Sequence, residues 1–282
     1  MTSLVFFSVI AAAAMHAGWN ALVKVALDRL RAMFLLTLCM GFLSLAALPF
    51  LAAPHPDSWG YLVASGLLHA GYMIFLIKAY EIGDLAQIYP LARGTAPMLS
   101  TLAAWFFAGE ALTPIMAAGI AMVLSGIYVM GMHGSGRGQA RLSGKAVIFA
   151  LTTSLFISAY TITDGLGVRL SQSSSGYTAW VFVLDMVTMA IAVSIWRGRS
   201  AFQNIAPHIG KGMFAGALSL GSYWIALWAM TQAPIGAVAA LRETSILFAL
   251  LISTLFLKEP FTAWRGAAAA LIVAGAAALR FS

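Results

Sequence analysis

The sequence contains one pattern twice, and the residue numbers of the second copy are 149 higher than those of the first. Both copies lie in strongly apolar surroundings. One or two matches at a fixed offset can arise by chance, but five in register indicate an internal duplication. Each repeat therefore predicts a set of hydrophobic helices. The five matched pairs are Arg93 and Arg242, Thr95 and Thr244, Glu110 and Glu259, Thr113 and Thr262, and Gly126 and Gly275.

Composition excludes an ordinary water-soluble fold. Of 282 residues, 61% are hydrophobic and 9% are charged, whereas soluble domains carry roughly 25% charged residues. We therefore expect lipid to be the main solvent of this chain. The net charge of +7 does not indicate a nucleic-acid partner, because the basic residues are scattered and form no Lys/Arg-rich run. Cys39 is the single cysteine, which excludes an intrachain disulfide and a cysteine metal cluster.

Apolar runs of about 20 residues, each long enough to span a bilayer, are separated by charged and turn-forming residues. Thr113 before Pro114, and Thr262, predict capped helix starts at matching places in the two repeats. The runs predict ten helices, near residues 3–25, 32–52, 59–80, 87–108, 114–132, 144–163, 176–196, 208–230, 236–257 and 262–280.

A basic, glycine-rich segment separates two groups of five predicted helices. We assign residues 1–132 to the first repeat, 133–143 to a linker and 144–282 to the second repeat. An odd number of helices per repeat makes the halves enter the membrane in opposite directions. The predicted fold is an all-α integral membrane protein, with ten transmembrane helices as two inverted five-helix repeats around a central cavity.

The loops divide into a basic set and a set with little charge. Because Lys and Arg accumulate on the cytoplasmic side of membrane proteins, this bias predicts a multi-pass protein of a cell membrane, such as a bacterial inner membrane, with both termini outside the cytoplasm. The loops after helices one, three, five, seven and nine hold Lys24, Arg29, Arg31, Lys78, Arg137, Arg141, Lys145, Arg197, Arg199, Lys211, Lys258 and Arg265, and the opposite face holds Arg169 and Arg280.

Short matching motifs carry a family resemblance. Glu110-Ala-Leu-Thr113-Pro in the first half corresponds to Lys-Glu259-Pro-Phe-Thr262 in the second, and each precedes a helix that contains glycine. Over essentially the whole chain, this pattern resembles the EamA-like drug/metabolite transporter superfamily. The first helix, with HAGWNALVK, and the sixth, with AYTITDGLGVR, are similar to one subgroup of it.

The resemblance implies a ten-helix carrier with a central cavity that moves small metabolites, often amino acids or related compounds and usually outward. It does not imply one substrate, because the superfamily is diverse. Many amino-acid exporters of the superfamily are assigned both termini in the cytoplasm, which is opposite to the prediction from the loop charges.

Polar side chains within apolar helices are the best indication of a functional site, because a central ionisable group costs about 2.5–3.5 kcal/mol on insertion scales. Residues four apart share a helix face, and several helices carry such stripes. They either line a cavity or hold helices together. The candidate substrate-binding residues are His16, Trp19, Asn20, Tyr72, Tyr89, Arg93, Tyr160, Asp164, Tyr223, Arg242 and Glu243.

Three acids on three different helices are candidates for carrying a proton during transport: Asp164, Asp185 and Glu243. Asp185 has no charged neighbour in sequence, and Glu243 adjoins Arg242, where side chains do not face each other on a helix. We expect each of these two acids to find a partner on another helix. Arg93 and Arg242 are either symmetric anchors for carboxylates across the halves, or one of them binds a substrate carboxylate or phosphonate.

Pro90 and Pro97 predict an interruption of helix four, because proline removes a backbone donor and opens the helix. The matching positions, Ala239 and Ile246, predict no interruption in the second half. Broken helices often mark binding sites in transporters, so the prolines favour helix four as a moving or binding element over a simple kink.

These features favour a secondary transporter, an exporter or exchanger of a small polar metabolite by alternating access. The sequence lacks a GxxxxGK[ST] phosphate loop, an HExxH motif and a GxSxG elbow, which disfavours an enzyme; a channel or a scaffold is the other alternative. Aromatic rings, acids and arginines suit an amino-acid-like or zwitterionic substrate, with a small organophosphonate as the alternative. Besides substrate and membrane lipid, we expect no cofactor, no metal, no nucleic acid and a monomer.

Overall fold

The computed structural model describes residues 1–23, 29–82, 85–133, 143–198, 205–256, 258 and 261–282. In these ranges the chain forms α-helices and short 3₁₀ turns, and they contain no β-strand. The α-helices are α1 (Ser3–Val23), α2 (Arg29–Ala47), α3 (Trp59–Ile82), α4 (Leu85–Phe107), α5 (Pro114–His133), α6 (Gly144–Leu170), α7 (Ser174–Arg197), α8 (Ile209–Met230), α9 (Ile235–Arg242), α10 (Ser245–Phe256) and α11 (Ala263–Arg280).

Nine apolar segments among the described residues are long enough to cross a membrane, and one of them joins α9 and α10 into a single span. α4, with 23 residues, has the length of a tenth span. Large apolar side chains on the outside, such as Ile195 at 83% and Phe256 at 77% exposure, fit a protein whose solvent is lipid. The predicted all-α integral membrane fold of ten spans is confirmed.

The sixth helix is longer than predicted. α6 continues to Leu170 instead of ending near residue 163, where the sequence becomes polar and rich in glycine. Two of those glycines are points of close helix contact: a Cβ atom at Gly165 would lie 2.6 Å from a methyl carbon of Ile235, and one at Gly167 would lie 2.2 Å from the hydroxyl of Tyr177. The glycines serve packing here and do not end the helix.

The two capped helix starts predicted from threonines are confirmed. Thr113 Oγ1 accepts a hydrogen bond from the N–H of Met116 at 3.2 Å, and Pro114 is the first residue of α5. Thr262 Oγ1 accepts from the N–H of Arg265 at 3.4 Å ahead of α11. Each cap satisfies a backbone donor that the first turn of a helix leaves free.

The two groups of five helices pack with an approximate twofold relation. In order, α1–α5 correspond to α6, α7, α8, the broken span α9–α10, and α11. α3 packs on α6 while its counterpart α8 packs on α1; α2 packs on α7, and α5 packs on α11. Exchanging the halves leaves this set of contacts unchanged, as expected of inverted repeats.

The contact of α5 with α11 shows the same relation in detail. A Cβ atom at Gly126 would lie 2.7 Å from the carbonyl oxygen of Ala268, and one at Gly275 would lie 2.6 Å from the carbonyl oxygen of Gly119. Gly126 and Gly275 are repeat counterparts, and positions 119 and 268 have the same offset. The two contacts therefore interchange when the halves are exchanged. The small residues at these positions let the backbones of α5 and α11 approach closely.

The loops that follow α2, α4, α6 and α8 bind one another at one face of the bundle. The N–H of His55 donates to the carbonyl oxygen of Ser171 at 2.9 Å, and Arg169 Nη2 donates to Glu110 Oε1 at 2.7 Å. The two ends of the described chain also lie together, because the ammonium of Met1 donates to a backbone oxygen of Ser282 at 3.1 Å. An even number of spans places the two ends of the described chain at the same face.

Candidate functional site

The span formed by α9 and α10 is interrupted inside the bundle, at Glu243 and Thr244. Their N–H groups donate to carbonyl oxygens three positions earlier, those of Ala240 and Leu241, at 3.1 and 3.0 Å. Thr244 Oγ1 also donates to the Leu241 oxygen at 2.7 Å. Such a turn departs from the regular helical ladder, and membrane proteins tolerate it only where the backbone is buried in protein or lines a cavity. Glu243 and Thr244 are 6% and 1% exposed.

Glu243 at this break forms an ion pair with the opposite repeat. Arg93 Nη2 on α4 lies 2.8 Å from Glu243 Oε1, and the two side chains are 12% and 8% exposed. His16 Nε2 on α1 lies 3.4 Å from Arg93 Nη2. Because a guanidinium can only donate, His16 accepts through Nε2 and is neutral in this arrangement.

A small pocket lies between the halves beside this ion pair. Its empty volume is about 290 Å³, part of which is its open mouth. α4, α6 and the end of α9 form its walls, so both repeats contribute. The polar residues that line it are Arg93, Ser100, Tyr160, Thr161, Arg242 and Glu243.

The repeat-related arginines have different partners. Arg93 binds Glu243, whereas the guanidinium carbon of Arg242 lies 5.0 Å from the ring centre of Tyr223 in a cation–π contact. Within the described ranges, Arg242 forms no ion pair with a carboxylate. The symmetric anchoring of two carboxylates is therefore not seen, and the pocket walls hold two guanidinium groups and one carboxylate.

A second polar group, which we call the carboxyl cluster, lies next to the pocket and consists of Asp164, Asp185, His69, Tyr177 and Tyr223. Asp164 has no exposed surface; it accepts hydrogen bonds from Tyr223 Oη at 2.6 Å and from Tyr177 Oη at 3.2 Å. His69 interacts electrostatically with both Asp164 and Asp185. The cluster joins α3, α6, α7 and α8.

Asp185 interacts electrostatically with His69 on another helix, but it forms no ion pair within the described residues. It is 4% exposed, and its Oδ1 atom has no hydrogen-bond partner within the described part of the chain. A buried carboxyl oxygen without a donor is unfavourable. Glu243, by contrast, has an ion-pair partner on another helix.

The pocket brings together four of the predicted substrate-binding residues, Arg93, Tyr160, Arg242 and Glu243. His16 adjoins it through Arg93, and Trp19 packs edge-on against His16 with ring centres 5.0 Å apart. Tyr72 packs against Tyr160, outside the pocket lining, with ring centres 5.8 Å apart.

The remaining predicted residues lie elsewhere. Asn20 Nδ2 donates to the carbonyl oxygen of His16 in its own helix at 2.8 Å, so this amide serves its helix backbone. Asp164 and Tyr223 belong to the carboxyl cluster. The side chain of Tyr89, as well as Glu259, lies outside the described residues.

The predicted interruption of helix four is wrong. α4 runs without a break through Pro90 and Pro97, and the break occurs in the other half, at Glu243, where no proline or glycine stands. Proline restricts the backbone to helix-compatible angles and removes one donor, and protein neighbours compensate for this loss within membranes. Helix four still contributes to the site, because Pro97 lines the pocket.

Sequence reasoning missed His69, Tyr177 and two hydroxyls of the pocket, Ser100 and Thr161. The ring of His69 stacks on Tyr160 with centres 4.0 Å apart. A histidine within an apolar helix was a usable signal, because a polar ring at membrane depth needs a partner. Tyr177 had no such signal, because tyrosines near helix ends are common at membrane interfaces.

Comparisons with known proteins agree with this architecture. The EamA-like transporter family matches residues 3–132 and 144–281. A solved structure, titled only "Crystal structure of protein", is 21% identical and aligns over 98% of this chain and 96% of its own, with a TM-score of 0.74; this likeness concerns the fold alone. No curated protein matches the chain.

The apolar helical fold and the family match over both repeats define a multi-pass membrane transporter of small molecules. The protein belongs to the EamA-like transporter family.

Proposed function

We propose that the protein exports or exchanges a small amino-acid-like zwitterion by alternating access, and that the pocket between the repeats is its binding site. The pocket walls come from both halves, so rocking of one half against the other would open it to each side of the membrane in turn. The walls carry two guanidinium groups, a carboxylate and the hydroxyls of a serine, a threonine and a tyrosine, which suits a small polar metabolite.

The observation that carries this proposal is that Arg242 has no carboxylate partner among the described residues. Arg93 is neutralised by Glu243, but Arg242 contacts the neutral ring of Tyr223 and pairs with no carboxylate in the described ranges. A guanidinium in a water-poor pocket binds an acid group strongly, because it offers two parallel donors. Arg242 would hold the carboxylate of the substrate.

The opposite end of a zwitterion has suitable groups in the same pocket. The Glu243 carboxylate and the ring of Tyr160 are both attractive to an ammonium group, and the hydroxyls of Ser100 and Thr161 offer hydrogen bonds. Acid and amine of one small molecule would thus have separate partners within the same pocket.

A small organophosphonate is the second candidate, and the presence of two arginines favours it. A phosphonate dianion would bind Arg242 and could compete with Glu243 for Arg93, since both arginines line the pocket. Aminophosphonates share the ammonium group of amino acids and differ in the acid group. Comparing an amino acid with its aminophosphonate analogue therefore distinguishes the two substrate classes.

We propose that the transporter is a monomer in a bacterial inner membrane, with both termini outside the cytoplasm. The supporting observation is the distribution of basic residues among the loops. We also propose that the repeats correspond to residues 1–132 and 144–282, joined by the linker 133–143.

The decisive experiment is a thermal-shift screen of the purified protein against the common amino acids and their aminophosphonate analogues, for example glycine and aminomethylphosphonate. A ligand that binds the folded state stabilises it by about 2.7 kcal/mol at a hundred times its Kd. Arg242→Gln should weaken binding about ten- to hundredfold, since a hydrogen bond to a charged group contributes about 1.5–3 kcal/mol. Arg242→Lys should restore only part of this, because lysine lacks the paired donors.

Lys211→Gln is the matched control, because it removes one positive charge from an exposed position and should leave binding unchanged. In vesicles loaded with an amino acid that binds, labelled amino acid outside should enter in exchange and accumulate transiently; a channel shows no such counterflow. Equal binding by wild type and Arg242→Gln would refute the role of Arg242.

A further inference from the structure

The carboxyl cluster is separate from the proposed substrate pocket and has no part in it. We propose that the two buried carboxyl groups of the cluster, Asp185 and Asp164, form a proton-binding site that couples transport to a proton gradient. This inference rests on the proposed function for the substrate that is moved, and it adds the ion that moves with it.

Asp164 is held by neutral donors. Both of its oxygens accept from tyrosine hydroxyls, at 2.6 Å from Tyr223 and 3.2 Å from Tyr177, and no arginine or lysine of the described chain forms an ion pair with it. The basic side chain that acts on it most strongly is His69. Unlike Glu243 with Arg93, Asp164 has no arginine or lysine partner among the described residues.

Asp185 provides the independent observation. Its carboxyl group is 4% exposed, and Oδ1 has no donor within reach in the described ranges. A bare carboxylate is costly in such surroundings, and a proton bound at Oδ1 removes that charge. The proton is thus the ligand that this group lacks.

His69 connects the two acids. Its Nδ1 lies 3.0 Å from the carbonyl oxygen and 3.2 Å from the hydroxyl oxygen of Ser65, and these contacts fix the ring beside the cluster. His69 interacts electrostatically with Asp164 and Asp185, and these two acids interact with each other.

The two acids interact with each other, so they bind protons as one unit and not as independent sites. Besides His69, the titratable or charged groups that face this unit come from α3, α4, α6, α7, α8 and the end of α9. They are Tyr160, Tyr177, Tyr223 and, across these tyrosines, Tyr61, Arg93, Arg242 and Glu243.

Two tyrosines link this unit to the pocket. Tyr223 donates its hydroxyl to Asp164, and the guanidinium of Arg242 lies over its ring. Tyr160 lines the pocket and stacks on His69. A substrate acid that draws Arg242 away from Tyr223 therefore changes the environment of Asp164, and by linkage a proton in the cluster changes the affinity for substrate.

In each cycle one proton would bind from the side where the cluster communicates with water and would leave to water on the other side. Only proton binding and release occur at these carboxyl groups, so no other bond is formed or broken. The gradient of protons then supplies the energy for moving the substrate.

Infrared difference spectroscopy of the purified protein in lipid tests this without knowledge of the substrate. On acidification, the wild type should gain the C=O stretching band of a protonated buried carboxyl group. Asp185→Asn should lose this band, and Tyr223→Phe, which keeps the ring under Arg242 but removes the donor to Asp164, should displace its pH titration. Asp57→Asn is the control, because that carboxylate is 76% exposed in a loop. A band unchanged in both Asp185→Asn and Asp164→Asn would overturn the proposal.

Vesicles that contain a pH dye test the coupling, with glycine and aminomethylphosphonate as probes. Asp185→Asn should keep exchange of the probe but lose its accumulation driven by a pH gradient. If wild type exchanges a probe while pH gradients have no effect, or a sodium gradient drives accumulation instead, the proton site is refuted and the proposed function stands. If neither probe binds nor exchanges, the proposed substrate class fails, and the infrared band still decides the proton site.

Discussion

The guanidinium of Arg93 binds the carboxylate of Glu243 at 2.8 Å and so joins the two repeats beside the pocket. One residue lies in the middle of a continuous helix, and the other lies where a span breaks. Both are buried, so each charge depends on the other for its stability in the membrane interior.

Removing one member of this pair should therefore destabilise the protein more than removing both. We expect Arg93→Met or Glu243→Met to lower the free energy of unfolding by about 3–5 kcal/mol, because a single buried charge remains. The double Met variant should recover most of this loss and should remain inactive in transport. Thermal unfolding in detergent measures the first effect, and exchange in vesicles measures the second. A double variant no more stable than the single variants would contradict this account.

Glu110 and Arg169 form a second contact between the halves, at the face where the loops after even-numbered spans meet. Glu110 Oε1 accepts from Arg169 Nη2 at 2.7 Å and from the N–H of Ile235 at 2.8 Å. Arg169 also donates to the carbonyl oxygens of Met230 and Ala233. We expect Glu110→Gln to lower the free energy of unfolding by about 1.5–3 kcal/mol, the contribution of a hydrogen bond to a charged group.

Arg169→Lys should also destabilise the protein, although it keeps the positive charge. A lysine ammonium cannot reproduce the planar guanidinium that reaches three acceptors. Asp57→Asn is the control: it neutralises an exposed loop carboxylate and should leave the melting temperature unchanged. If Arg169→Lys were as stable as the wild type, the geometry of the guanidinium would have no role.

The spans could be predicted from the sequence because they depend on local properties. The length of an apolar run, and a threonine that caps the next turn, are both read from adjacent residues. The same holds for the membership of Arg93, Tyr160, Arg242 and Glu243 in one site, since polar groups in apolar helices must turn inward.

The break at Glu243 could not be predicted in this way. It depends on a contact between residues 150 positions apart in sequence, and the chain there lacks the proline or glycine that usually accompanies a break. The different partners of Arg93 and Arg242 also depend on contacts between residues that are distant in sequence. Repeat-related positions carry the same residue type, but their neighbours in the folded protein differ.

Close packing of α5 on α11 should make Gly126 and Gly275 intolerant of a side chain. An added methyl group would meet the partner backbone at 2.7 and 2.6 Å, respectively, so we expect each Gly→Ala substitution to cost about 1–3 kcal/mol, as overpacking usually does. Gly60→Ala is the matched control, since nothing lies within 4 Å of its added Cβ. Equal melting temperatures for all three variants would show that this contact is looser than described.

The proposed orientation of the protein rests on loop charges and can be tested at the C-terminus. A fluorescent reporter that folds only in the cytoplasm should stay dark when fused to Ser282, and alkaline phosphatase, which is active only outside the cytoplasm, should be active there. The reason is that Lys and Arg accumulate on the cytoplasmic side of membrane proteins, and the two ends of the described chain lie together at the face opposite to the basic loops. Fusions truncated after Arg197, at the end of α7, should give the reverse result. A fluorescent Ser282 fusion would place both termini in the cytoplasm and invert the direction in which the pocket opens.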